Sequence, residues 1–166
     1  DIHGGSVTDS ASATVENTDP ELGTVSITPT TATNDDTLTC SATASDTDGG
    51  PPTLAYAWTG STSGSLGSTD TLDLSLTAAV SGETITCTVT ATDTDGGTDI
   101  GSATRDLDNR APTVSVSLSP SSGATKNDTL TCTATVADDD DDSLSTTFAW
   151  TVAGTSVSAS STSGLT

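Results

Sequence analysis

Basic residues are nearly absent from this chain. Arg105, Arg110 and Lys126 face 23 acids, for a formal net charge of -20 over 166 residues. A surface of that sign repels phosphate backbones and anionic lipid, which argues against a nucleic-acid partner and against membrane binding. Methionine is missing, His3 is the single histidine, and Tyr56, Trp58, Phe148 and Trp150 are the only aromatics. No His/Cys spacing suits zinc, and no phosphate-cradling glycine loop or nucleophile elbow is present. Serine is abundant but has no base to activate it. Paired carboxylates could serve glycoside hydrolysis, yet few aromatics stand ready to stack on a sugar. These absences point away from an enzyme and from a small-molecule substrate. No apolar run is long enough to cross a bilayer, so direct membrane insertion is not expected.

What remains is Thr, Ser, Ala, Gly and Asp, ordered in a strict pattern. Leu38, Cys40, Ala42 and Ala44 alternate with Thr37, Thr39, Ser41 and Thr43. Ile85, Cys87, Val89 and Ala91 alternate with threonines, and Leu72, Leu74 and Leu76 with Thr71, Asp73 and Ser75. One apolar face and one hydroxyl face describe half-buried antiparallel strands. No segment holds a helical period. The predicted strands are Val25 with Ile27, then about 37–44, 54–59, 71–76, 84–91 and 101–107. Residues 60–68 read as a loop or a weak edge strand. Residues 7–15 read as the last strand of a preceding unit.

The chain also repeats itself. Asp35-Asp36-Thr37-Leu38-Thr39-Cys40 returns 92 residues later as Asn127-Asp128-Thr129-Leu130-Thr131-Cys132, and Tyr56-Ala57-Trp58 returns as Phe148-Ala149-Trp150. Each copy of a repeat is one structural unit. The expected organisation is the end of one unit at 1–16, a complete unit at 17–107 and a partial next unit at 108–166, a window on a longer array.

Cys40, Trp58 and Cys87, each on a predicted strand, form a Cys…Trp…Cys pattern that resembles the immunoglobulin-type sandwich. The linkers Val15-Glu16-Asn17-Thr18-Asp19-Pro20 and Leu107-Asp108-Asn109-Arg110-Ala111-Pro112 resemble those of bacterial PKD-like and cadherin-like repeats. The resemblance implies an all-β fold of tandem immunoglobulin-like β-sandwiches. It also implies a disulfide between Cys40 and Cys87, with two buried free thiols as the alternative. Cys132 aligns with Cys40, and its partner is expected past residue 166. A disulfide would imply an oxidising, extracellular location. The sequence departs from the resembled pattern in one hallmark, since no tyrosine precedes Cys87 by two residues.

Acids gather in the connections. Asp46-Thr47-Asp48-Gly49-Gly50 and Asp93-Thr94-Asp95-Gly96-Gly97 are near copies, and the entering linker adds Glu16, Asn17 and Asp19. In an immunoglobulin-like sandwich these segments meet at one end. Crowded carboxylates repel unless a cation sits among them, and Ca²⁺ takes carboxylate and carbonyl oxygens. The bland alternative is a set of solvated turns, because Asp and Gly favour turn geometry. A second site is expected from Asp106, Asp108 and Asn109 with Asp138 and Asp140 of the run Asp138–Asp142. Asn127-Asp128-Thr129 matches a glycosylation sequon, a match that the first copy does not repeat.

These readings converge on a secreted structural segment of a cell-surface fibre, stalk or layer, stiffened by calcium and partnered by copies of itself. The competing expectation is an adhesin or glycan-binding module, which would need an exposed aromatic or apolar patch.

Overall fold

Alternating sequence becomes strand wherever a neighbour is available to complete the hydrogen-bond ladder. The computed structural model, which describes residues 3–140, 143–157 and 164–165, is all-β with antiparallel sheets. Between residues 21 and 106 lie β1 (Glu21–Leu22), β2 (Ser26–Thr28), β3 (Thr37–Ser41), β4 (Ala44–Ser45), β5 (Thr53–Gly60), β6 (Gly64–Gly67), β7 (Thr71–Asp73), β8 (Thr84–Thr92) and β9 (Thr98–Asp106). One sheet has the order β2-β3-β7 and another the order β6-β5-β8-β9, while β1 pairs with β4.

Ile27, Leu38, Cys40 and Leu72 of the first sheet pack in one buried cluster with Trp58, Ile85, Cys87 and Val89 of the second. A disulfide joins Cys40 on β3 to Cys87 on β8 and so links the two layers covalently. The arrangement is consistent with a β-sandwich. Trp58 pairs across the ladder with Cys87 and is fully buried. A buried indole needs an acceptor, and its Nε1 donates to the Thr69 carbonyl at 2.7 Å.

Several expectations shift. Residues 60–68 do contribute an edge strand, β6, beside β5. The alternation through Leu76 does not continue as strand. Asp73 accepts from the Ser75 amide at 3.1 Å and its hydroxyl at 2.6 Å, which caps a 3-10 turn over Leu74–Leu76. A short polar side chain that bonds its own backbone competes with the ladder, so Leu74 is buried while Leu76 points outward. The last strand begins earlier than its apolar pattern suggests. Asp99 takes an inward position on β9 because its Oδ2 accepts the Leu22 amide at 2.8 Å. Two places on, a Cβ at Gly101 would lie 3.0 Å from Leu22 and 3.1 Å from Val25, so glycine lets the entering chain cross close to β9.

Residues 7–15 form no strand, and Val7 and Val15 are almost fully exposed. A strand is stable only beside another, and no described segment pairs with this one.

Beyond the linker, β10 (Thr113–Ser119), β11 (Leu130–Ala137) and β14 (Gly164–Leu165) form a three-stranded sheet. β12 (Trp150–Val152) and β13 (Thr155–Val157) form a hairpin. The order β10-β11-β14 matches β2-β3-β7, and Leu118 faces Cys132 as Ile27 faces Cys40. Cys132 is a free thiol, partly exposed. No helix among the described residues is long and apolar enough to cross a membrane.

Candidate functional site

The acidic connections share one local design. In each Asp-x-Asp, the first carboxylate accepts the amide two residues on. Asp46 accepts Asp48 at 2.9 Å, Asp93 accepts Asp95 at 2.9 Å, and Asp138 accepts Asp140 at 2.8 Å. This is the side-chain turn that Asp makes with its own backbone. The second carboxylate is then free to reach outward. Asp48 Oδ2 accepts the Thr18 amide at 2.9 Å, and Asp140 Oδ2 accepts the Arg110 amide. Both bonds tie a linker to the loop 30 residues ahead of it.

At the first linker the expected segments do meet. Asn17 Nδ2 donates to Asp93 Oδ2 at 2.9 Å. Asp93 is nearly buried, and its Oδ1 also accepts the Gly97 amide at 2.8 Å. The Asn17 bond, with the turn amides behind it, outweighs burial and holds this carboxyl below its usual range. Asp48 is likewise held low by its bonds from Thr18. Asp19 joins at Gly97, where an added Cβ would lie 2.6 Å from Asp19 Oδ1 and 2.8 Å from Asn17 Nδ2, and closer still to Asp93. Gly97→Ala must therefore push the linker off the loop. The expected cost is about 1–3 kcal/mol, the usual price of overpacking, read as a lower denaturation midpoint. An unchanged midpoint would show that this contact is soft.

Glu16, Asn17, Asp48 and Asp95, with Val15, line an open cleft of about 180 Å³ at this end. Asp46 Oδ1 accepts the amides of Asp48 and Gly49, while its Oδ2 is buried without a hydrogen-bond partner. The donors are hard oxygens throughout, the chemistry of Ca²⁺ and not of zinc. Their spacing is looser than a coordination shell, since no three carboxylate, His or Cys side chains among the described residues are close enough to hold an ion. The first Asp of each loop gives one oxygen, Oδ1, to its own turn.

The second linker is built differently. Asp106 Oδ1 accepts the Thr84 hydroxyl at 2.6 Å on the sheet surface, and Asn109 Nδ2 donates to the Arg110 carbonyl at 2.9 Å. The Asp108 amide donates to the Ala32 carbonyl at 2.7 Å, docking the linker on the first body. These bonds turn Asp106 and Asn109 to local partners and not to Asp138 and Asp140. Asp141 and Asp142 lie outside the described residues. The group that meets Asp140 is Arg110, whose Nε and Nη2 both reach Asp140 Oδ1 at 2.8 Å. Its Nη1 reaches Asp35 at 2.8 Å and its Nη2 reaches Asn34 at 2.9 Å. Asp35 and Asp140 raise the guanidinium's pKa, and Asp35 is lowered, first by Thr33 and then by Arg110.

Comparison with family models, curated proteins and solved structures found no match. The chemistry must therefore be read from these contacts.

Two residues that matter here escape a reading by pattern. Arg110 stands in a linker among acids, and its rarity was the available signal. Glu83 is nearly buried at a turn beside β8, and nothing in its neighbours marks it.

Proposed function

We propose that this chain is a non-catalytic structural segment of a secreted, tandemly repeated surface protein, in which immunoglobulin-like sandwiches are held end to end. The observation that carries this reading is the bond from linker amide to loop carboxylate, made at Thr18 and made again at Arg110. That one backbone bond, shared by two linkers that otherwise differ, favours a regular array over a flexible string. The sheet orders β2-β3-β7 and β6-β5-β8-β9, bridged by Cys40–Cys87 beside buried Trp58, support the immunoglobulin-like assignment. The bridge also favours an oxidising, extracellular setting. Copies of the same chain are the natural partners in a fibre, stalk or layer. Recognition of a glycan by an aromatic is less well supported, because Trp58 is buried and Tyr56 is packed against the core.

Imaging of the secreted protein tests the role. Regular filaments or sheets of uniform spacing are expected. Dispersed monomers that capture glycans would support the adhesin reading instead.

Calcium at the first linker is part of the proposal, through Glu16, Asn17, Asp19, Asp46, Asp48, Asp93 and Asp95. A ligand of the folded state stabilises it by about 3 kcal/mol at a hundredfold excess over Kd. Added Ca²⁺ is expected to raise the melting temperature of this chain, and EDTA to remove the gain. A melting temperature indifferent to both takes calcium out of the account.

A further inference from the structure

Arg110 gathers three segments that are far apart in sequence. Besides its bonds to Asp140, Asp35 and Asn34, its Nη2 donates to the Asp139 carbonyl at 2.6 Å. Asn34 and Asp35 belong to the turn before β3, Asp139 and Asp140 to the loop after β11, and Arg110 to the linker between. Asp139 shares a cleft with Asn34, Asp35 and Ser75, so the two bodies meet at this residue. The Asp140 side chain is wholly buried at the pair, and a carboxylate so placed needs a counter-charge.

We propose that Arg110 is the resident cation of this joint: its guanidinium takes the place among the carboxylates that a calcium ion would need, and makes the angle across the joint independent of calcium. The inference rests on the tandem-array reading above. A metal bound at Asp140 would have to displace a guanidinium already bonded to Asp35, Asn34 and the Asp139 carbonyl. The planar fork matters, because five N–H donors can serve several acceptors at once where an ammonium serves one point. In the 92-residue register the matching position is Thr18, which makes the same backbone bond but brings no charge. There Asp46 Oδ2 is the oxygen left without a partner. The two linkers are thus of two kinds, one carrying its own cation and one open to a cation from solution.

Residual dipolar couplings of the full chain test this, measured in excess EDTA and in millimolar calcium. Wild type is expected to fit one alignment tensor for residues 21–107 and 112–140 in both conditions. In Arg110→Thr the order of 112–140 is expected to fall roughly two-fold or more relative to 21–107, the behaviour of domains with a weak interface. Arg110→Lys should lose part of the order. Asp35→Asn, at a residue that is largely exposed, is the second variant should Arg110→Thr disturb folding, and it should show the same loss in smaller degree. A common tensor retained in Arg110→Thr and Asp35→Asn overturns the role of Arg110 and leaves the array reading standing. A wild type that needs calcium to share one tensor also overturns it. Independent tensors in wild type under both conditions overturn the array reading itself.

Discussion

Removing the Cys40–Cys87 bridge is expected to cost about 4 kcal/mol, the chain-entropy value for a loop of this size. The bridge spans 47 residues of sequence and joins strands in different sheets. Without it the unfolded chain regains the freedom to separate those strands. The loss is large against a total stability of about 5–15 kcal/mol. It also falls on a thin core, in which Ala32, Ala79 and Ala91 hold buried positions that larger side chains would fill elsewhere. Urea unfolding of Cys40→Ala/Cys87→Ala beside wild type reads the cost as a lower midpoint. Cys132 supplies the control, because it is the one free thiol of three cysteines. Native protein should take one alkylating label and reduced, denatured protein three. A midpoint unmoved by the double substitution would mean that the two layers hold without their covalent link.

Glu83 is expected to give the second large effect. Its Oε1 accepts the Thr62 and Ser63 amides and the Ser63 hydroxyl, each at 2.7 Å, and its Oε2 accepts the Val80 amide at 3.0 Å. The Leu107 amide donates to its carbonyl at 2.8 Å. One carboxylate therefore ties the β5–β6 turn to the approach to β8. Gly60 makes room, since a Cβ there would collide with Glu83 Oε1. Burial raises the carboxyl's pKa, but the bonds from Ser63, Thr62 and Val80 win and hold it at about 2. With a lowered folded value, the contribution is complete above the unfolded pKa of 4.5 and is lost as pH falls from there through about 2. The shift corresponds to about 3 kcal/mol. Glu83→Gln turns an acceptor-only group into one with a donor facing amides, and should cost about 2–4 kcal/mol at neutral pH. Stability measured against pH should show the two proteins far apart at about pH 6 and converging toward about pH 2. Curves that stay parallel throughout would assign the loss to packing and not to the charge.

The strands were legible because alternate residues face one layer or the other, and Leu38, Cys40, Ile85 and Val89 are buried where that rule puts them. Cys40, Trp58 and Cys87 were legible as a trio through the resemblance to the immunoglobulin-type pattern. Leu76 was not, because the Asp73 side chain ends the ladder with a bond that alternation does not encode. Residues 7–15 carry strand chemistry without a neighbour among the described residues to express it. At the candidate site the approach of the entering linker to the two acidic loops was implied by the sandwich resemblance, but the pairing of Asn17 with Asp93 and of the Thr18 amide with Asp48 was not. The division of labour in the Asp46 and Asp138 loops, one carboxylate for the turn and one for the linker, needed coordinates, as did the Asp93 loop, where the first Asp serves both. So did Glu83 and Arg110. Glu83 reaches turn partners 20 and 21 residues away, and Arg110 reaches partners 30 and 75 residues away. No local pattern joins such positions.

Pulling a single chain from its two ends tests most directly whether it is built of bridged mechanical units. A discrete rupture is expected for residues 21–107. The length it releases should be short by about 160 Å, the contour of the residues locked between Cys40 and Cys87. Reductant should restore that length and lower the rupture force. Featureless stretching, or a released length that reductant leaves unchanged, would contradict the account.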